Sequence, residues 1–229
     1  MYWYERKNNL TMKIISAETP AYVKKRGTDG PAVWNGAFYY SKEIIRNIVP
    51  NVETERSWIT INLPELGAED GAIVFIHNNK TPEVYNWLSR YRDLILVCGV
   101  PETVPKVAAL GTAVYLPLSV DVKDVRKHSA EKTRGRAFVG RQSKKAGFRF
   151  PNGTDFLSGM PRDRLLDEVA RYREVYAVGR CAIEAKALGC EILPYDPRFP
   201  DVSYWNVVDN LEAAAMLQEI LDEIDGKRG

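Results

Sequence analysis

The chain has 229 residues, 45% of them hydrophobic and 27% charged, with a net charge of +2. That length suits one large α/β domain or two small ones with a buried core, and the near-balance of charge gives no whole-molecule drive toward nucleic acid or a membrane. Three irregularly spaced cysteines beside two histidines make neither a disulfide framework nor a zinc set, so Cys98, Cys181 and Cys190 are expected to be small buried hydrophobes in a reducing compartment.

Residues 1–11 lack the apolar core of a signal peptide, and no run reaches the ~18 apolar residues of a membrane span. They are expected to be an N-terminal arm on a cytoplasmic protein. "MKIISAE" (12–18) reads as the first strand, followed by the glycine- and proline-rich loop "TPAYVKKRGTDGPAVWNG" and the helix "AFYYSKEIIRNIV". "SWITINL" (57–63) and "GAIVFIHNN" (71–79) read as strands. "TPEVYNWLSRYR" reads as a helix with a Thr N-cap and Pro at its first position. "DLILVCGV" is a strand, "PETVPKVAALG" a helix stopped by glycine, and "AVYLPLSV" a strand.

The apolar pattern breaks at 118–135, the expected domain boundary, and resumes with the short strand "RAFVGR" (136–141). "PRDRLLDEVARYR" (161–173) is an amphipathic helix. "EVYAVG", "RCAIEAKALG" and "CEILPYD" then read as strand, helix and strand. Exposed aromatics, Tyr204 and Trp205, are expected in "RFPDVSYWNVV". The last helix, "VDNLEAAAMLQEILDEID", is expected to turn Leu211, Ala214, Ala215, Leu217, Leu221 and Ile224 inward. Strands alternating with helices predict βαβ units and mainly parallel sheets.

Three places carry candidate chemistry. Between Lys123 and Arg149 there are ten Lys or Arg against two acids, Asp124 and Glu131, a local balance of ten minus two. This favours an anionic ligand such as a nucleotide diphosphate or a nucleic-acid backbone, or is a solvated face balanced by the acidic last helix. Only Phe138 and Phe148 interleave with these charges, which argues against a base-stacking platform. In the first loop Gly27, Asp29 and Gly30 lie between strand and helix, where α/β sheets present ligands, although no dinucleotide fingerprint or P-loop is present. In "GRCAIEAKALG", Arg180 and Glu184 share one helical face at i, i+4. They are either an intrahelical ion pair or a phosphate cation beside a ribose-binding carboxylate.

Strand, Gly179–Arg180, "IEAKALG" and "EILPYD" together resemble the donor-nucleotide segment of GT-B glycosyltransferases. "YLPLSVDVKDV" is similar to the segment that opens their C-terminal domain, "AFVGRQSKKAG" resembles their diphosphate loop, and the first glycine-rich loop resembles the one lining their cleft. The chain departs from the pattern where Ala146 stands at the family's lysine position, with Lys144 and Lys145 just before it, and where Tyr176 replaces the earlier glutamate. A further βαβ stretch is reduced to "FRFPNGTDFLSGMPRDR".

The resemblance implies an α/β protein of two small Rossmann-like domains in a GT-B-like arrangement. Residues 12–120 would form the acceptor side; residues 121–229 would form a reduced nucleotide-donor side with the terminal helix. The expected function is metal-independent transfer of a sugar from a nucleotide-diphosphate donor, with no cofactor. Arg141, Lys144, Lys145, Gly179 and Arg180 would hold the diphosphate and Glu184 the ribose; Gly27, Asp29 and Gly30 would line the cleft. His77, His128 and Asp29 are the candidates for a base. No D-x-D motif occurs, so cationic side chains are expected in place of a metal. The alternatives are a non-catalytic nucleotide or nucleic-acid binder using 123–149, and a nucleotide-sugar epimerase.

Overall fold

The computed structural model describes residues 2–5, 11–15, 36–61, 67–76, 82–140, 147–199 and 201–226. The protein is α/β and divides into two compact units, residues 1–117 with 210–229, and residues 118–209.

In the first unit β1 (Tyr2–Glu5) runs antiparallel to β2 (Thr11–Ile15), so residues read as an arm contribute a strand. Helix α1 (Gly36–Glu43) passes into a π turn at Ile44–Ile48 and a 3-10 turn at Val49–Asn51. β3 (Trp58–Ile59), β4 (Ile73–Ile76), α2 (Pro82–Leu88), β5 (Ile95–Cys98), α3 (Val104–Val107) and β6 (Thr112–Tyr115) follow. From β2 onward the strands are parallel and lie side by side in chain order.

β4 ("IVFI") and β5 ("ILVC") are buried at every position, the continuous apolar signature of a sheet covered on both faces. Val74, Ile76, Leu96 and Cys98 pack with Val84, Trp87 and Leu88 of α2 and Val107 of α3. On the alternate positions Phe75 stacks with Trp58 at 6.2 Å and meets Tyr40 edge-on at 6.3 Å. Gly111 admits the turn into β6, because a Cβ there would lie 2.5 Å from the Leu94 carbonyl oxygen.

The second unit opens with α4 (Val122–Arg126), capped by Asp121, whose carboxylate accepts from the Asp124 amide at 2.8 Å. β7 (Arg134–Val139), β8 (Thr154–Leu157), α5 (Arg162–Val169), β9 (Tyr172–Tyr176), α6 (Arg180–Ala187) and β10 (Glu191–Leu193) follow. All four strands are parallel, in the order β10-β9-β7-β8. The ends of the unit meet, with Val120 bridging Asp209 and its amide donating to the Val208 carbonyl at 3.1 Å.

Helix α7 (Asn210–Gly226) then returns the chain to the first unit and packs on the π turn at 44–48. Its inward stripe is Asn210, Ala213, Ala214, Leu217 and Leu221, spaced at i, i+3, i+4, i+7 and i+11, while Leu211 is 60% exposed. The stripe is therefore rotated from the expected one: Asn210 turns inward to donate to Glu43 at 3.0 Å and carries Leu211 to the outside. Trp205, expected at the surface, is 1% exposed. A 3-10 turn at Val202–Tyr204, capped by Asp201, turns its ring onto Phe199 at 5.4 Å. Among the described residues no helix is long and apolar enough to cross a membrane.

Candidate functional site at the strand reversal of the second sheet

β7 pairs with β8 on one side and β9 on the other, and the chain proceeds from β7 to β8 but from β9 to β10. The connections thus diverge at the β7/β9 boundary, and beyond the carboxyl ends of such strands α/β sheets hold their ligands. The first sheet, whose parallel strands run in chain order, has no such reversal among the described residues.

β9 ends at Tyr176, and Gly179 and Arg180 open α6 just beyond it. Gly179 adopts φ 64° and ψ −143°, a conformation open essentially to glycine, and a Cβ there would meet nothing within 4 Å. Its carbonyl accepts from the amides of Ala182 at 3.0 Å and Ile183 at 3.2 Å, and no side chain caps the helix. An uncapped helix start carries a partial positive charge that attracts anions. Along α6, Ala182, Ile183, Ala185 and Ala187 are buried, small enough as a set to seat the helix closely.

Arg180 and Glu184 are on one face, as their spacing requires, and both side chains are 7% exposed. Glu184 Oε1 accepts from Arg180 Nε at 3.0 Å and from Arg162 Nε at 3.0 Å. Arg162, the first residue of α5, also donates from Nη1 to Asp124 Oδ2 on α4 at 3.0 Å, and Lys127 donates to Asp124 Oδ1 at 3.1 Å. One ionic network therefore binds α4, α5 and α6. Burial pushes the Asp124 carboxyl up, but hydrogen bonds and charge from Arg162 and Lys127 outweigh it and hold it below the usual carboxylate value. Buried charges of this kind are tolerated because each meets an opposite partner in bonding geometry.

The other expected site residues fare differently. His128 Nδ1 lies 2.7 Å from Asp167 Oδ1, linking the segment after α4 to α5. Gly27, Asp29, Gly30, His77, Arg141, Lys144 and Lys145 lie outside the described residues. Arg162 was not singled out in the sequence, and Asp124 only as one of the two acids of the basic segment. The available signal was that "PRDR" opens a helix with arginine in its first turn, as "GRCAIE" does.

A second feature adjoins the same strand ends. Phe138 of β7 and Tyr176 of β9 stand in register and are buried with Tyr195. Phe150 lies 4.9 Å from Phe138 and 5.1 Å from Tyr176, Phe148 lies 4.8 Å from Phe150, and Phe156 of β8 is 43% exposed. Folding thus gathers six rings where the sequence showed two among the charges. Burial, aided by Asp196, pushes the Tyr195 hydroxyl up to about 12. Asp196 itself is 5% exposed and held by Arg198, whose Nε donates to it at 2.8 Å.

No protein-family model matches the chain, and no curated protein matches it significantly. Among the described residues no group of three His, Cys, Asp or Glu side chains is arranged to hold a metal ion.

Proposed function

We propose that the second unit binds a nucleoside diphosphate beyond the ends of β7 and β9, and that the protein uses it as the leaving group in glycosyl transfer of the GT-B type. The observation that carries this reading is Gly179–Arg180 opening an uncapped α6 at the strand reversal. Departure of a diphosphate from a sugar builds negative charge on the phosphate, which oriented amides and guanidinium groups stabilise. The start of α6, with Arg180 and Arg162, supplies such groups, and the chain leaving β7 adds Arg141, Lys144 and Lys145 in sequence.

Glu184 acts here first by fixing two guanidinium groups, since its Oε1 accepts from both. A contact to ribose hydroxyls would fall to the rest of the carboxylate. The acceptor side belongs, in the same reading, to the first unit. A second reading is favoured by the ring cluster: the half-exposed Phe156, with Arg134 and Arg136 on neighbouring β7, suits a single-stranded nucleic acid.

Calorimetric titration with UDP, GDP, ADP and their glucose conjugates, without metal and at two salt concentrations, separates the two. Saturable binding of one nucleotide that survives added salt and weakens in Arg180→Ala is expected. Silence toward every nucleotide, with oligonucleotide binding that falls steeply with salt, would replace the first reading by the second.

A further inference from the structure

At the amino ends of the second sheet's strands, opposite the site, two residues the site does not use meet across 58 positions of sequence. Lys132 precedes β7 and Cys190 precedes β10, with β9 between those strands. Lys132 Nζ lies 3.1 Å from Cys190 Sγ and is held there by donation to the Ala170 carbonyl at 2.8 Å. The thiol is aligned in turn on the Val169 carbonyl at 3.5 Å. The lysine stem passes Gly189, where a Cβ would stand 3.9 Å from Lys132 Cε. Cys190 is 5% exposed. Cys98, buried within β5, faces the Leu96 carbonyl at 3.6 Å instead of an amine.

We propose that Lys132 and Cys190 form an oxidative modification site that closes to a sulfenamide, a covalent bond between Nζ and Sγ. Hydrogen peroxide first oxidises the thiol to a sulfenic acid and is itself reduced, releasing one water. The lone pair of the neutral Lys132 amine then attacks the sulfenyl sulfur. The S–O bond breaks, and its oxygen leaves as a second water, taking up the proton that nitrogen loses. The protein thereby loses one thiol hydrogen and one amine hydrogen, two electrons passing to peroxide.

A sulfenic acid ordinarily condenses with whichever thiol or nitrogen reaches it first. Here burial keeps other proteins' thiols away, whereas the nitrogen already touches the sulfur. Burial raises the Cys190 thiol above its ordinary pKa, with Lys132 working against the rise, so the first step is slow and calls for excess peroxide. The first step quickens in mild alkali, where more thiolate is present. The bond would tie the lead-in of β7 to that of β10 across the start of β9.

The test treats the folded full-length protein with excess hydrogen peroxide, digests it without reductant and maps the peptides by mass spectrometry. A peptide joining Lys132 to Cys190, lighter than the sum of its parts by two hydrogens and separated again by dithiothreitol, is expected. Lys132→Arg should lack it and carry added oxygen on Cys190 instead. The same treatment in concentrated urea should give no joined peptide, because the contact exists only in the fold. Added oxygen on Cys190 of the folded wild type without the joined peptide would overturn the proposal. So would a Cys190 that stays reduced, or a bridge formed equally in urea.

Discussion

Glu184→Gln tests the ionic network, because it removes a charge and keeps the shape. The wild-type carboxylate side chain is 7% exposed and stands 3.0 Å from the Nε of both Arg162 and Arg180. Without its charge, two buried guanidinium groups lose the carboxylate they share, and Arg162 keeps Asp124 at 3.0 Å. Breaking a buried pair in this way costs about 3–5 kcal/mol. Arg162 keeps its second partner and is 13% exposed, so the lower end, about 3 kcal/mol, is expected here.

Amide exchange reads that cost locally. Amides of α6 and its C-cap, such as Ala182, Ile183 and Leu188, should exchange faster by about two decades, at ~1.4 kcal/mol per decade. Replacing Arg162, Arg180 and Glu184 together by methionine should recover most of the loss, since an apolar group of similar volume needs no counter-charge. A change below about fivefold, roughly 1 kcal/mol, would refute the reasoning. Glu184 would then be a carboxylate that its arginines do not need, available to a ribose. The outcome bears directly on function: positioning predicts that Glu184→Gln weakens both the fold and nucleotide binding, whereas a ribose contact alone predicts loss of binding only.

Two further expectations concern neighbouring residues. Gly179→Ala meets no atom within 4 Å but must hold φ 64° and ψ −143°, a strain of about 1–3 kcal/mol. Thermal unfolding should show the midpoint fall, and an unchanged midpoint would mean that the turn relaxes at no cost. Asp124 contributes to the acid limb, because its carboxyl is raised by burial but lowered further by Arg162 and Lys127. A folded value below the unfolded one contributes stability that is complete above about pH 4 and is lost as the pH falls through the folded value. Asp124→Asn should therefore flatten the decline of stability below about pH 4, followed by circular dichroism; an acid limb as steep as the wild type's would remove Asp124 from the network.

The central strands were legible because "IVFI" and "ILVC" are apolar at every position and bounded by turns, so burial on both faces is written into composition. β8 was not: "TDFL" is an edge strand with Asp155 and Phe156 exposed, and four residues of mixed polarity resemble a loop. β1 was hidden in the same way, an edge strand whose only sheet contact among the described residues is with β2. The Arg180–Glu184 pair was readable because helical periodicity places those residues one turn apart. Arg162 was not, because its contact with Glu184 spans 22 positions and depends on how α5 and α6 pack. The meeting of Phe138 and Tyr176 was likewise a consequence of strand register, and Phe150 and Tyr195 join them from segments outside the strands, which no local pattern encodes.

The return of α7 to the first unit has a consequence in time. A ribosome that has just added Asp209 has delivered every residue of the second unit, including the Val120–Asp209 bridge that closes it. The first unit, begun earlier, still lacks Leu217 and Leu221, which lie at 0% and 1% exposure in the finished fold. The part of the protein that starts second is thus complete first, and the part that starts first stays open at its π turn until the last helix is made.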